Sequence, residues 1–107
     1  MIDLSLSKKV TASGLVIAGQ AILKGFLIGT DGVNDPTITV FDNTSNSGEE
    51  IVPSTAYDAS SLGVNGAVGL NDYCEKGIYV EISCAGAVEV SVKYTPYFPP
   101  GHLKRQG

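Results

Sequence analysis

The stretch that decides the fold is Gly77-Ile78-Tyr79-Val80-Glu81-Ile82-Ser83-Cys84. Apolar residues occupy every second position of it: Ile78, Val80, Ile82 and Cys84. The residues between them are Tyr79, Glu81 and Ser83. Because successive side chains of a strand point to opposite faces, this pattern predicts a β-strand with one face in the core and the other toward water or a partner.

The same alternation resumes after Ala85-Gly86. Here the residues expected to point inward are Val88, Val90, Val92 and Tyr94, and those expected to point outward are Ala87, Glu89, Ser91 and Lys93. Two strands joined by a short glycine-containing link predict a β-hairpin. The outer faces of this hairpin would carry both acidic and basic side chains, namely Glu81, Glu89 and Lys93. This mixture of charges indicates a sheet surface that is exposed to solvent.

A second hairpin is predicted upstream. The apolar run Gln20–Thr30 leads into the turn formers of Asp31–Pro36, and the strand Thr37–Asp42 follows. Between Ser13 and Leu23, glycines and β-branched residues favour strand over helix.

The middle of the chain is less regular. Asn43–Gly48 is polar and predicts a loop, and Glu49–Ser54 predicts a short strand that ends near Pro53. Ala56–Asn71 is rich in small residues and predicts a loop followed by one more strand.

Seven to eight short strands with turn signals about every ten residues indicate an all-β fold, an antiparallel β-sandwich or a jelly-roll-like barrel with extended termini. A parallel α/β fold is excluded because no crossover helix is predicted. We divide the chain into an N-terminal arm with the first strand (1–12), the sandwich domain (13–95) and a Pro/Gly-rich C-terminal tail (96–107).

Composition narrows the classes of partner. The 107 residues are 43% hydrophobic and 17% charged, which is too apolar for disorder, and no stretch approaches the roughly 18 apolar residues of a membrane span. The net charge is −4, and no cluster of basic residues is larger than a pair. Both facts argue against nucleic acid as a binding partner, because phosphate binding needs several cations on one face. The order of charges at the N-terminus is wrong for a secretory signal, so we expect cytosolic synthesis and reduced, buried thiols at Cys74 and Cys84.

No catalytic or metal motif is predicted, and we expect no cofactor. The Asp31–Asp35 segment, with Asp42 beyond it, has several oxygen ligands but not the spacing of a calcium loop, so we favour a turn held by Asp and Asn side chains. The acid pairs Glu49-Glu50 and Asp72 with Glu75 are expected to be solvated. The single histidine, His102, lies in the tail, which is a poor location for a catalytic relay.

The C-terminal tail is expected either to be disordered or to lie against another surface, and its apolar side chains favour packing on a neighbouring subunit. Its prolines cannot extend a strand ladder, and the tail carries three apolar side chains that a free segment would expose: Tyr97, Phe98 and Leu103.

Three segments carry a resemblance to a known group: Lys24–Asn43, Cys74–Ser83 and Val92–Tyr94. The chain from Leu15 to Thr95 resembles small β-sandwich virion structural proteins of tailed bacteriophages, of the capsid decoration (cement) or head–tail type. The resemblance implies a non-enzymatic virion protein, made in the bacterial host cytoplasm, that associates with itself, a trimer being favoured, and with the major capsid protein or another virion protein.

A decoration protein would use its surface and terminal arms to hold the shell. The residues we expect to contact a partner are Ile2, Leu4, Leu6, Tyr97, Phe98, Leu103, Lys104 and Arg105. Two alternatives stay open: a head–tail joint or fibre-associated component, and a glycan-binding sandwich module, against which the absence of tryptophan argues.

Overall fold

The structure, a computed structural model, describes residues 6–60 and 65–96. Eight strands follow one another in the chain: β1 (Leu6–Val10), β2 (Gly14–Ala18), β3 (Ala21–Thr30), β4 (Thr37–Asp42), β5 (Glu49–Ala56), β6 (Asn65–Cys74), β7 (Gly77–Ser83) and β8 (Val88–Pro96). They form two antiparallel four-stranded sheets, sheet A in the order β1-β8-β3-β6 and sheet B in the order β2-β7-β4-β5. The described residues contain no helix. The predicted all-β sandwich is confirmed.

The strand order defines the type of sandwich. β4 pairs with β5, β3 with β6, β2 with β7 and β1 with β8, so the chain pairs as one long hairpin that turns between β4 and β5. The ladders β3·β8 and β4·β7 then join these pairs into two sheets. This rolled arrangement of eight strands, in which every connection except β4–β5 passes from one sheet to the other, is the jelly roll.

Both predicted hairpins are wrong. β7 and β8 lie in different sheets, and so do β3 and β4. The sheets of a sandwich are only about 10 Å apart, so a link of a few residues can cross between them as easily as it can close a hairpin. The predicted outer surface is therefore divided: Glu81 lies on sheet B, whereas Glu89 and Lys93 lie on sheet A.

The predicted inward faces are nevertheless correct. Val88, Val90 and Val92 are buried in the core, and Ile82, Cys84 and Tyr94 are partly buried against it. The largest fully buried side chains include Phe26, Leu23, Ile38 and Ile78. These residues come from both sheets. Full burial of an aliphatic or aromatic side chain of this size contributes about 1.5–3 kcal/mol to the stability of the fold.

Two glycines set how closely β3 and β6 approach. A Cβ on Gly25, whose φ is +151°, would lie 2.6 Å from the carbonyl oxygen of Ala67. A Cβ on Gly66, whose φ is +130°, would collide with the carbonyl oxygen of Phe26. The register of this ladder shifts between Leu23 and Gly25, which resets the alternation so that both Leu23 and Phe26 are buried.

The irregular middle of the chain shows one correction. β5 does not end near Pro53 but continues through it to Ala56. Because β5 is an edge strand, the missing N–H of proline removes no ladder hydrogen bond that the sheet needs, and the register shifts at this point. The predicted Asn43–Gly48 loop is confirmed. The strand predicted within Ala56–Asn71 is β6, which continues beyond Asn71 to Cys74.

Candidate functional site

The two chain ends meet at one end of the sandwich. β1 begins with Leu6 opposite Tyr94, near the end of β8, and Pro96 lies opposite Ala21 at the start of β3. Segments 1–5 and 97–107 therefore join neighbouring strands at the same end, which we call the terminal end. The other end of the sandwich is called the opposite end.

Hydrogen bonds hold the turns of the terminal end in place. The backbone N–H of Gly19 donates to the carbonyl oxygen of Lys76 at 2.9 Å. The carboxylate of Asp42 accepts from the backbone N–H of Glu75 at 3.1 Å and from that of Lys76 at 2.8 Å. These hydrogen bonds connect the β2–β3 turn with the β6–β7 turn, and the β6–β7 turn with the end of β4.

One of the predicted partner-binding residues lies within the described chain. Leu6 is 48% exposed, although it lies on the same face of β1 as the buried Val10. The other seven lie outside the described residues: Ile2, Leu4, Tyr97, Phe98, Leu103, Lys104 and Arg105. Their role in partner binding stays a prediction.

The structure places two further side chains, which the sequence did not indicate, beside the end of β8. Tyr73, 46% exposed, lies opposite Ile22 on the outer face of sheet A, and Thr95 lies opposite Ile22 on its other side. These side chains border the point where segment 97–107 leaves β8. Tyr73 lies just beyond Ala56–Asn71, the region for which the sequence predicted a loop and one more strand, and no residue pattern marked Tyr73 as exposed.

The Asp31–Asp35 segment is the turn that the sequence favoured. Asp31 Oδ1 accepts from the backbone N–H groups of Val33 and Asn34, each at 2.8 Å, and its Oδ2 accepts from Asn34 Nδ2 at 2.8 Å. The hydrogen bond from the Asn34 backbone, supported by the Asn34 side chain and Val33, lowers the pKa of Asp31 to about 2. Both oxygens of the Asp31 carboxylate thus accept hydrogen bonds from residues of the same loop.

Both cysteines are free, but of the two thiols that were expected to be buried only Cys74 is. Cys74 is fully buried, while Cys84 is half-buried and its Sγ donates to the carbonyl oxygen of Asn34 at 3.5 Å. Burial, with the negative charge of Asp42 as the next cause, raises the pKa of Cys74 to about 12. A thiol with this pKa is almost wholly protonated at neutral pH and is a poor nucleophile and metal ligand.

A shallow cavity of about 280 Å³ lies at the opposite end. It is lined by Gly29, Thr30, Ala87, Val88 and Glu89. Glu89 forms an ion pair with Lys9 at 3.7 Å, and among the described residues that line the cavity it is the one with an ionisable side chain.

The remaining candidate chemistry is dispersed. The acids Glu49, Glu50 and Glu75 are exposed, as predicted, and Asp72 is half-buried. Within residues 6–60 and 65–96, no three His, Cys, Asp or Glu side chains lie together as metal ligands would. His102 lies outside the described residues.

Comparison with known proteins gives no family assignment: no family model matches the chain, and a search of curated proteins found no match. The part of the chain that the structure describes holds no helix with the length and hydrophobicity needed to cross a membrane.

Proposed function

We propose that the protein is a non-enzymatic structural protein of a tailed bacteriophage particle, specifically a capsid decoration protein. It associates with itself, with a trimer as the expected oligomer, and binds the major capsid protein through its surface and terminal arms. The jelly roll is one of the folds from which viral capsid domains are built, which is consistent with this role but does not by itself define it.

The observation that carries the proposal is the common exit of the two terminal segments. Both leave the sandwich at the terminal end, where β1 and β8 are neighbours and where Leu6 and Tyr73 are half-exposed. The eleven residues 97–107 can span at most about 40 Å, which is long enough to reach over an adjacent subunit.

The chemistry of segment 97–107 suits an anchor. Tyr97, Phe98 and Leu103 are apolar, and aromatic residues buried at the centre of an interface each contribute about 2 kcal/mol or more to binding. Lys104 and Arg105 follow directly and would reach a polar rim, where exposed charges contribute less.

Binding of truncated protein to particles that lack it tests the proposal. We expect deletion of 97–107, or the pair Tyr97→Ala and Phe98→Ala, to weaken co-sedimentation with particles at least tenfold. The matched control is Val33→Ser, because Val33 is 79% exposed in the β3–β4 turn at the opposite end, and it should bind like the wild type. Wild-type binding by the deletion variant, with an unchanged melting temperature, would contradict the arm mechanism.

Copy number separates the two virion positions. Quantitative mass spectrometry of purified particles should find the protein in numbers comparable with the major capsid protein. A few copies per particle would favour the head–tail alternative. Reproducible binding on a glycan array by protein that is absent from particles would favour the glycan-binding alternative.

A further inference from the structure

Charge is distributed unequally between the two sheets. All the basic residues of the eight strands lie in sheet A: Lys8, Lys9, Lys24 and Lys93, against the acids Asp72 and Glu89. The strands of sheet B contain four acids and no base: Asp42, Glu49, Glu50 and Glu81. The two sheets of one sandwich therefore carry opposite charge.

Three of these lysines, Lys9, Lys24 and Lys93, lie around apolar side chains on the outer face of sheet A, which also carries Glu89. Lys8 lies on the inner side, where its Nζ donates to the carbonyl oxygen of Leu15 in β2 at 3.2 Å. Register places Lys93 in one row with Gly25 and Val68, and Lys9 in the next row with Leu27. Val68 is 72% exposed and Leu27 is half-buried. We call these residues, with Lys24, face A.

The outer face of sheet B has the opposite charge and its own apolar row. Leu15, Tyr79 and Phe41 are aligned across β2, β7 and β4, and Glu50 continues the row on β5. Glu81 lies on the same face of β7, two residues after Tyr79, and its Oε2 accepts a hydrogen bond from Asn46 Nδ2 at 3.1 Å. Leu15 is 37% exposed, and Phe41 is buried although it points away from the core. We call these residues face B.

We propose that face A of one copy docks on face B of a second copy of this chain. The lysines of face A then meet Glu50 and Glu81, while Leu27 and Val68 pack against Leu15 and Tyr79. The charge complementarity selects a second copy in this orientation, because face A against face A, or face B against face B, would bring like charges together.

The dimensions set the expected strength. Four strands about 4.8 Å apart and about eight residues long give a face of roughly 500 Å², so one contact buries about 1,000 Å² in total, near the lower limit for a specific interface. The contact is head-to-tail, so the first and last copies of an assembly each retain one free face. Repetition of the contact closes a ring or extends a filament, according to the rotation between successive copies.

Zero-length carbodiimide cross-linking of an isotope-mixed sample tests this with unmodified protein. We expect amide links between lysines of face A and Glu50 or Glu81 that join one labelled and one unlabelled copy. The Lys9–Glu89 ion pair, at 3.7 Å within one copy, is the internal control and should give links within single copies as well. Recovery of the control links without mixed-isotope links between the faces would overturn the proposal.

Charge reversal and rescue provide the second test, by sedimentation velocity at low salt. Lys9→Glu with Lys93→Glu, and Glu50→Lys with Glu81→Lys, should each weaken self-association at least tenfold. The four changes in one chain should restore it, because the faces are again complementary. Asn46→Ala controls for loss of the loop contact at Glu81 and should associate like the wild type. A four-fold variant that melts like the wild type and does not associate would overturn the proposal.

Contact between the two faces does not depend on the virion role. Self-association is measured on purified protein, whereas the decoration role is measured on particles. A protein that associates through its two faces and does not bind particles would refute the proposed function alone. A protein that is monomeric at low salt and tens of micromolar, yet binds particles, would refute the contact between faces alone.

Discussion

Substitution of Gly25 by alanine should destabilise the protein through two separable effects. The first is backbone strain, because φ is +151° and a side chain at positive φ costs on the order of 1–2 kcal/mol. The second is a collision, because the new Cβ would lie 2.6 Å from the Ala67 carbonyl oxygen and 3.1 Å from Val68 Cα. Both are backbone atoms of β6, so the strand itself must move.

Two other glycines allow the effects to be measured separately. Gly19 has a φ of +95°, and a Cβ added there would have nothing within 4 Å, so Gly19→Ala reports strain alone, about 1–2 kcal/mol. Gly14 has no positive φ and its nearest neighbour would be the Ala12 carbonyl oxygen at 3.8 Å, so Gly14→Ala should be neutral or stabilise by about 0.4–1 kcal/mol. We expect Gly25→Ala to cost about 3–4 kcal/mol, since displacement of β6 adds to the strain.

Urea unfolding gives the free energy of unfolding for the three variants and the wild type. Amide exchange of β6 should also increase in Gly25→Ala, because its ladder with β3 is weakened. Equal losses in Gly25→Ala and Gly19→Ala would refute the reasoning, because the close approach of β3 and β6 would then contribute nothing.

Three further predictions concern single side chains. Asp42→Ala should lower the free energy of unfolding by about 1–3 kcal/mol, because two backbone N–H groups of the β6–β7 turn lose their acceptor. Asp42→Asn keeps one acceptor oxygen and should lower the free energy of unfolding by less. Equal losses in the two variants would contradict this role of the Asp42 carboxylate. Since the pKa of Asp31 is about 2 in the fold, below its ordinary value of 3.8, the stabilisation it provides is complete above about pH 4 and declines as the pH falls toward 2. Unfolding at a series of pH values should show this decline in the wild type and a smaller one in Asp31→Asn. Native protein at pH 8 should react with a thiol reagent at Cys84 well before Cys74, whose pKa is about 12, and early labelling of Cys74 by peptide mapping would show that its burial is wrong.

The sequence predicts the strands better than their partners. Alternation identifies the buried side of β7 and β8 from their valines and isoleucines, because burial of one face requires a period of two. It contains no information about which sheet receives the next strand, and a four-residue link such as 84–87 fits both a hairpin and a crossing of the sandwich. The jelly roll follows from long-range pairs such as Leu6 with Tyr94, which no local pattern specifies.

The candidate surfaces are predictable to a smaller extent. Leu6 was expected to contact a partner and is half-exposed. Tyr73 and Val68 were not singled out, because glycines with positive φ at 66 and 69 interrupt the alternation of β6. The opposite charge of the two sheets could be found only after each strand had been assigned to its sheet.

The most direct test of the central claim, that this jelly roll acts by binding the shell of a particle, is a cryo-electron microscopy map of the particle whose genome encodes the chain. We expect density for the sandwich at repeated positions across the shell, with the terminal end facing the capsid and segments 1–5 and 97–107 in contact with neighbouring subunits. Particles in which the shell carries no such density would contradict the claim.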